Sequence, residues 1–224
     1  MQRVLALLLA LAAAGSAFAA ETAETFLTLD ATLEPGPGFA PAAAPRRLLI
    51  LADGSVYVGG TRHVAVGRLE TNELKVIEKR LDKIRKQQPG LSGDVSFGAG
   101  ATKYRLVVAR GRPLDVTTMG DPDLAPFSLR LLASLVADLA SFSHPSLRPY
   151  RPAFYAVRAQ EGSLPGGCRY WSFPVSLEQA LAAPQALSAA AAADWPTGAI
   201  AASVCANDKS YVVTLRPLLP GERP

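Results

Sequence analysis

The stretch Leu48-Leu-Ile-Leu-Ala-Asp-Gly-Ser-Val-Tyr-Val58 decides the fold. Two runs of apolar β-formers flank Asp53-Gly54. Asp-Gly between such runs is the strongest short-range signal for a β-hairpin, because glycine, and tolerably aspartate, accept the positive φ of a type I′ turn. Gly59-Gly60 marks a second turn, and His63 to Val66 extends the meander. A helix is predicted over Thr71 to Lys86. There Leu74, Ile77, Leu81 and Ile84 recur at steps of three, four and three, which stacks them on one stripe, and Pro89-Gly90 stops it.

Farther out the layout repeats. Asp94 to Phe97 and Lys103 to Ala109 read as strands, the second carrying Tyr104, Leu106 and Val108 on one face. Gly111 turns the chain into Pro113 to Thr118, and a second amphipathic helix follows Asp123 or Pro126, with Leu129, Leu132, Leu135, Val136 and Leu139 as its stripe. Upstream, Thr25 to Leu33 reads as a strand, joined to the hairpin by a Pro- and Gly-rich connection from Pro35 to Pro45. Downstream, Phe154 to Gln160 and Cys168 to Phe173 read as strands. Ser176-Leu-Glu-Gln179 is a capping box that starts a short helix, and Ser188 is placed to cap another through Asp194. Asn207-Asp208 reverses the strand Ala199 to Cys205 into Ser210 to Arg216.

The expected architecture is therefore α+β. An antiparallel, hairpin-built sheet carries two amphipathic helices on one face, with a small, disulfide-bonded, mostly-β C-terminal subdomain. Expected divisions are a signal peptide over residues 1–19, an N-terminal strand and Pro/Gly/Ala-rich connection over 20–45, a core domain over 46–160 and the subdomain over 161–224.

Compartment follows from the beginning of the chain. Arg3, the apolar run Val4 to Ala14 and the small-residue stretch Gly15 to Ala20 form the three parts of a secretory leader, with the cut expected after Ala19. That run is shorter than the roughly 20 residues a spanning helix needs, and no later stretch supplies one, so no transmembrane anchor is expected after cleavage. The expected location is periplasmic or secreted. The two cysteines, Cys168 and Cys205, then read as a disulfide worth about 3 to 4 kcal/mol by loop-closure entropy. Two thiols without nearby histidines fall short of a zinc site, and neither metal nor cofactor is expected. Twenty-three basic residues against nineteen acidic ones, a net charge of +4, give no concentrated phosphate-binding surface, which argues against nucleic acid.

Catalytic signals are sparse. His63, on an expected strand, has no acidic partner in local register, and His144 precedes Pro145 in a turn; both read as surface or turn histidines. Gly90-Leu-Ser-Gly93 has the wrong spacing for a nucleophile elbow. Gly98-Ala-Gly100-Ala-Thr-Lys103 precedes a strand rather than a phosphate-binding helix, and Asp121-Pro-Asp123 lacks the ligands of a calcium loop and reads as a helix cap. No catalytic residue is assigned.

Two surfaces stand out instead. Lys75, Lys79, Lys83 and Lys86 line the side of the first helix opposite its apolar stripe, with Glu78 and Asp82 within reach to soften the repulsion. A solvated face explains this ridge, and so does contact with anionic headgroups, cell-wall polymers or an acidic protein. Tyr170, Trp171 and Trp195, with Phe173, cluster about Cys168. Tryptophan packed on a disulfide is a common core arrangement, and the same three aromatics are the sequence's candidates for a binding pocket.

The Asp53-Gly54 hairpin, the amphipathic helix and the Tyr104-x-Leu106-x-Val108 strand together resemble the layout of small bacterial protease inhibitors of the emfourin type, over less than half the chain and with no shared inhibitory motif. That resemblance implies an inhibitor. The expected function is a noncatalytic extracytoplasmic binding module, an inhibitor or envelope accessory protein whose partner is an envelope or secreted protein. The alternative is an envelope-acting hydrolase whose catalytic set is assembled from distant residues, which predicts a pocket holding carboxylates or a Ser/His pair within hydrogen-bond reach.

Overall fold

In the computed structural model, residues 24–33, 48–59, 63–98, 102–195 and 201–224 are described. The leader, the connection after Leu33, the second glycine turn at Gly60, the segment 99–101 and the turn after Trp195 lie outside them.

Thirteen strands and three α-helices follow in chain order among the described residues. They are β1 (Thr25–Leu33), β2 (Leu48–Leu51), β3 (Ser55–Val58), β4 (Ala65–Arg68), α1 (Thr71–Gln87), β5 (Gly93–Ser96), β6 (Thr102–Val108), β7 (Leu114–Met119), α2 (Arg130–Ala140), β8 (Arg148–Pro149), β9 (Phe154–Glu161), β10 (Arg169–Tyr170), α3 (Leu177–Ala182), β11 (Gln185–Ser188), β12 (Ala201–Ala206) and β13 (Lys209–Pro217). They build two sheets, an eight-stranded one in the order β5-β7-β6-β1-β2-β3-β4-β8 and a five-stranded one in the order β10-β12-β13-β9-β11. The fold is mixed α/β, with a Cys168–Cys205 disulfide.

Hairpins dominate as expected, but neither sheet is purely antiparallel. β7 inserts between β5 and β6, pairing antiparallel with β6 and parallel with β5. β5 and β6 thus run antiparallel to each other on either side of β7. In the second sheet β10 pairs parallel with β12. Two strands also sit elsewhere than the linear reading placed them. β1, expected outside the 46–160 core, is central in the large sheet, bonded to β2 on one side and to β6 over seven residue pairs on the other. β9, expected to close that core, pairs with β13 and β11 in the second sheet.

The Asp53-Gly54 turn differs from the type I′ form. Only Gly54 has positive φ (90°), and the loop spans Ala52, Asp53 and Gly54, closed by the Gly54 amide donating to the Leu51 carbonyl at 3.0 Å. A three-residue loop with glycine in the left-handed position is the next hairpin class. Asn207 and Asp208, with φ of 50° and 61°, make the two-residue turn of positive φ. The helix expected from Ser188 to Asp194 is replaced by successive turns, although Ser188 Oγ does accept the Ala191 amide at 3.2 Å.

Both long helices contribute to one core. Leu81 and Ile84 of α1, with Leu132, Leu135, Val136 and Leu139 of α2, pack against Leu48, Ile50, Leu106 and Val116 of the large sheet. The alternate residues Leu49 and Leu51 point to the other face, as the two-residue period of a strand requires. There they join Val64 and Leu219, with Tyr57 and Tyr150 beside them. Tyr150 Oη donates to the Leu218 carbonyl at 3.1 Å, and the Leu218 amide donates to Phe154 in β9 at 2.9 Å, so the C-terminal segment couples the two sheets. A second core lies on the five-stranded sheet beneath α3. Among the described residues no helix is long and apolar enough to cross a membrane.

Candidate interaction surface

The aromatic candidates divide. Trp171 and Trp195 are brought together through Phe173, whose ring centroid lies 5.0 Å from Trp171 and 5.4 Å from Trp195. All three pack on the second core, and the Trp171 indole N–H donates to the Val175 carbonyl at 2.8 Å. Tyr170, next to them in sequence, is 88% exposed on the edge strand β10. The disulfide beside it joins residues whose Cα atoms are 5.6 Å apart.

His144, expected to be a surface or turn histidine, stands before a turn and has two side-chain partners. Its Nε2 lies 3.0 Å from Glu73 Oε1 and its Nδ1 2.7 Å from Ser146 Oγ, which makes a Glu–His–Ser chain. His63 is exposed and lies outside β4. The chain has the outline of a nucleophilic triad, yet its serine is committed to the backbone. Ser146 Oγ accepts the Arg68 amide at 2.9 Å and bonds the Arg68 carbonyl at 3.1 Å. It continues, with a side chain, the ladder that β4 makes with β8. A nucleophile must be free to meet a carbonyl carbon, and this hydroxyl is held against a strand. The Glu73 carboxylate is shared as well. Its Oε2 accepts the Glu70 amide at 2.7 Å at the start of α1, and that bond, reinforced by His144, holds the carboxyl below its ordinary range.

Next to this network a cleft of about 800 Å³ is lined by Asp53, Arg68, Glu70, Lys75, Glu78 and Arg110. Two of its carboxylates are already engaged. The Ser55 amide donates to Asp53 at 2.9 Å and holds its carboxyl low, whereas a proton donor at neutral pH needs a raised one. Glu78 lies 3.4 Å from Arg110.

The outer face of α1 carries the lysine ridge. Glu78 and Asp82, expected to soften the lysine ridge, each pair with an arginine. Glu78 takes Arg110, Asp82 takes Arg85 at 3.2 Å, and on the α2 side Asp138 takes Arg80 at 2.7 Å. Glu78 is met by an arginine from outside the helix, whereas Asp82 pairs within α1 with the residue three positions on. Lys75, Lys79, Lys83 and Lys86 are left exposed with no acidic partner among the described residues.

Exposed apolar side chains stand near the C-terminal end of α1. Gln88, just beyond α1, donates to the Ser128 carbonyl at 3.3 Å and so fixes that end beside the two 3-10 turns, Pro122–Leu124 and Phe127–Leu129, that precede α2. Phe127 is 84% and Leu124 65% exposed, and Leu131 is exposed as well. The Arg130 guanidinium lies 5.7 Å from the centre of the Phe127 ring. Sequence reading found the lysines and missed Phe127. The signal available was an Asp-Pro-Asp-Leu-Ala-Pro-Phe run whose prolines break the helical period and so release its apolar members from the stripe.

Compared with protein-family models, with curated proteins and with solved structures, the chain finds no match.

Proposed function

We propose that this chain is a noncatalytic extracytoplasmic binding module that engages its partner through the outer face of α1 and α2. The observation that carries this reading is the conjunction of four lysines without acidic partners among the described residues and a phenylalanine 84% exposed near the C-terminal end of the same helix. Isolated exposed side chains need no explanation, but several exposed apolar side chains together with a row of like charges are unfavourable in the free molecule and become favourable on contact. The leader read at the start of the sequence and the Cys168–Cys205 bond support an oxidising compartment.

The experiment is site-specific photocrosslinking from position 127 in envelope extract. Crosslinked adducts are expected with the native lysines and not with Lys79→Glu/Lys83→Glu. Identical adduct patterns from the two proteins would remove the reading. The hydrolase alternative draws support from the Ser146–His144 pair. It requires that Ser146 react with a fluorophosphonate probe, and a hydroxyl bonded to both backbone groups of Arg68 is expected to stay unlabelled.

A further inference from the structure

We infer that the surface which meets this ridge is a bilayer bearing anionic headgroups, with Phe127 and Leu124 entering the interface and the lysines lying over the phosphates. The inference rests on the binding reading above and names the partner's chemistry. Three observations select a lipid surface over an acidic protein.

The first concerns the kind of cation left over. Arginine is the residue that reads carboxylates by geometry, through its planar fork of donors. The arginines of this region are already engaged: Arg80 with Asp138, Arg85 with Asp82, Arg110 with Glu78, and Arg130 over the Phe127 ring. What remains is lysine, a compact hydrated charge on a flexible stem, suited to a diffuse sheet of negative charge rather than to a fixed carboxylate.

The second is shape. From Lys75 to Lys86 the ammonium groups are spread along about 16 Å of one helix side, so they address a plane rather than a point. The third is where the apolar side chains stand. Leu124 and Phe127 are carried on short 3-10 turns rather than in a groove, and exposed by 65% and 84% they project as an inserting edge does. The acids nearest them in sequence, Asp121 and Asp123, belong to the first of these turns, where the Asp121 carboxylate accepts the Asp123 amide at 2.9 Å.

Sedimentation of the full chain with vesicles tests the inference. One set is phosphatidylcholine alone, the other an equal mixture with phosphatidylglycerol. Binding is expected to the mixed vesicles only, and to disappear in about 1 M salt, where the Debye length falls to about 3 Å. Lys79→Gln/Lys83→Gln should lower partitioning about thirtyfold, and Phe127→Ala about tenfold. Both variants change exposed side chains, so their thermal transitions should match the parent's and act as the folding control. Equal binding to both vesicle sets, or none to the mixed set, overturns the lipid inference. A polyglutamate column then separates the two claims. Retention that the lysine variant loses, without vesicle binding, keeps the binding module and assigns an acidic protein partner; no retention on either support removes both.

Discussion

Gly67 sits where a side chain has no room. A Cβ there would stand 2.5 Å from Ser146 Oγ and 3.3 Å from the Leu147 nitrogen. The close approach lets a serine side chain finish the pairing of β4, so Gly67→Ala is expected to cost about 1–3 kcal/mol in urea unfolding. In a Ser146→Ala background the cost should shrink, and an unchanged cost would show that the hydroxyl is not the obstacle. Glu73 gives a second expectation at this scale. Its folded pKa lies below the ordinary 4.5, first because of the Glu70 amide and then because of His144. Its contribution is therefore complete above that value and is withdrawn as pH falls through the lower folded one. Unfolding free energy measured down the acid limb should fall more shallowly for Glu73→Gln than for the parent. Neither feature was legible beforehand, since Glu73 and His144 are 71 residues apart and Gly67 and Ser146 nearly eighty, so no local spacing announces them.

Among the elements, those whose residues answer only to their neighbours in sequence were legible. α1 follows from its stripe, and α3 begins at Ser176 with the Ser176 and Gln179 side chains exchanging bonds at 3.1 Å, as a capping box predicts. The parallel place of β5 was hidden, because four residues of mixed polarity carry no information about which edge they will join. The pairing of Glu78 was hidden for the same reason, since the arginine that claims it comes from the β6–β7 loop, whereas Asp82 pairs with Arg85 three residues on. β10 illustrates how little a short strand holds by itself. It has two residues, one neighbour, and a disulfide as its tether. Replacing both cysteines, Cys168→Ser/Cys205→Ser, should cost about 3–4 kcal/mol in chemical denaturation. Amide exchange at Arg169 and Tyr170 should rise well before that of β13, and uniform protection across the sheet would contradict the tether.

For the molecule as a whole, the C-terminal segment decides whether two sheets behave as one. Leu219 lies in the cluster with Leu49, Leu51 and Val64 on the far face of the large sheet, while its neighbour Leu218 bonds Phe154 of the small one. Leu219→Ala is expected to cost about 2–4 kcal/mol. It should also split a single calorimetric transition into two, and a variant that still melts in one step would place the coupling elsewhere. The position of β1 has a separate consequence for assembly. It is held by β2 and β6, and its register with β6 joins residues far apart along the chain, Leu29 with Leu106 among them. Such a contact closes late, after the local hairpins and helices have formed. Until it closes, β2 and β6 flank a vacant slot with unsatisfied amides and carbonyls on both walls. A β1 from a second copy fits that slot as well as the chain's own, so refolding at high concentration favours reciprocally exchanged dimers, and dilute refolding favours monomers.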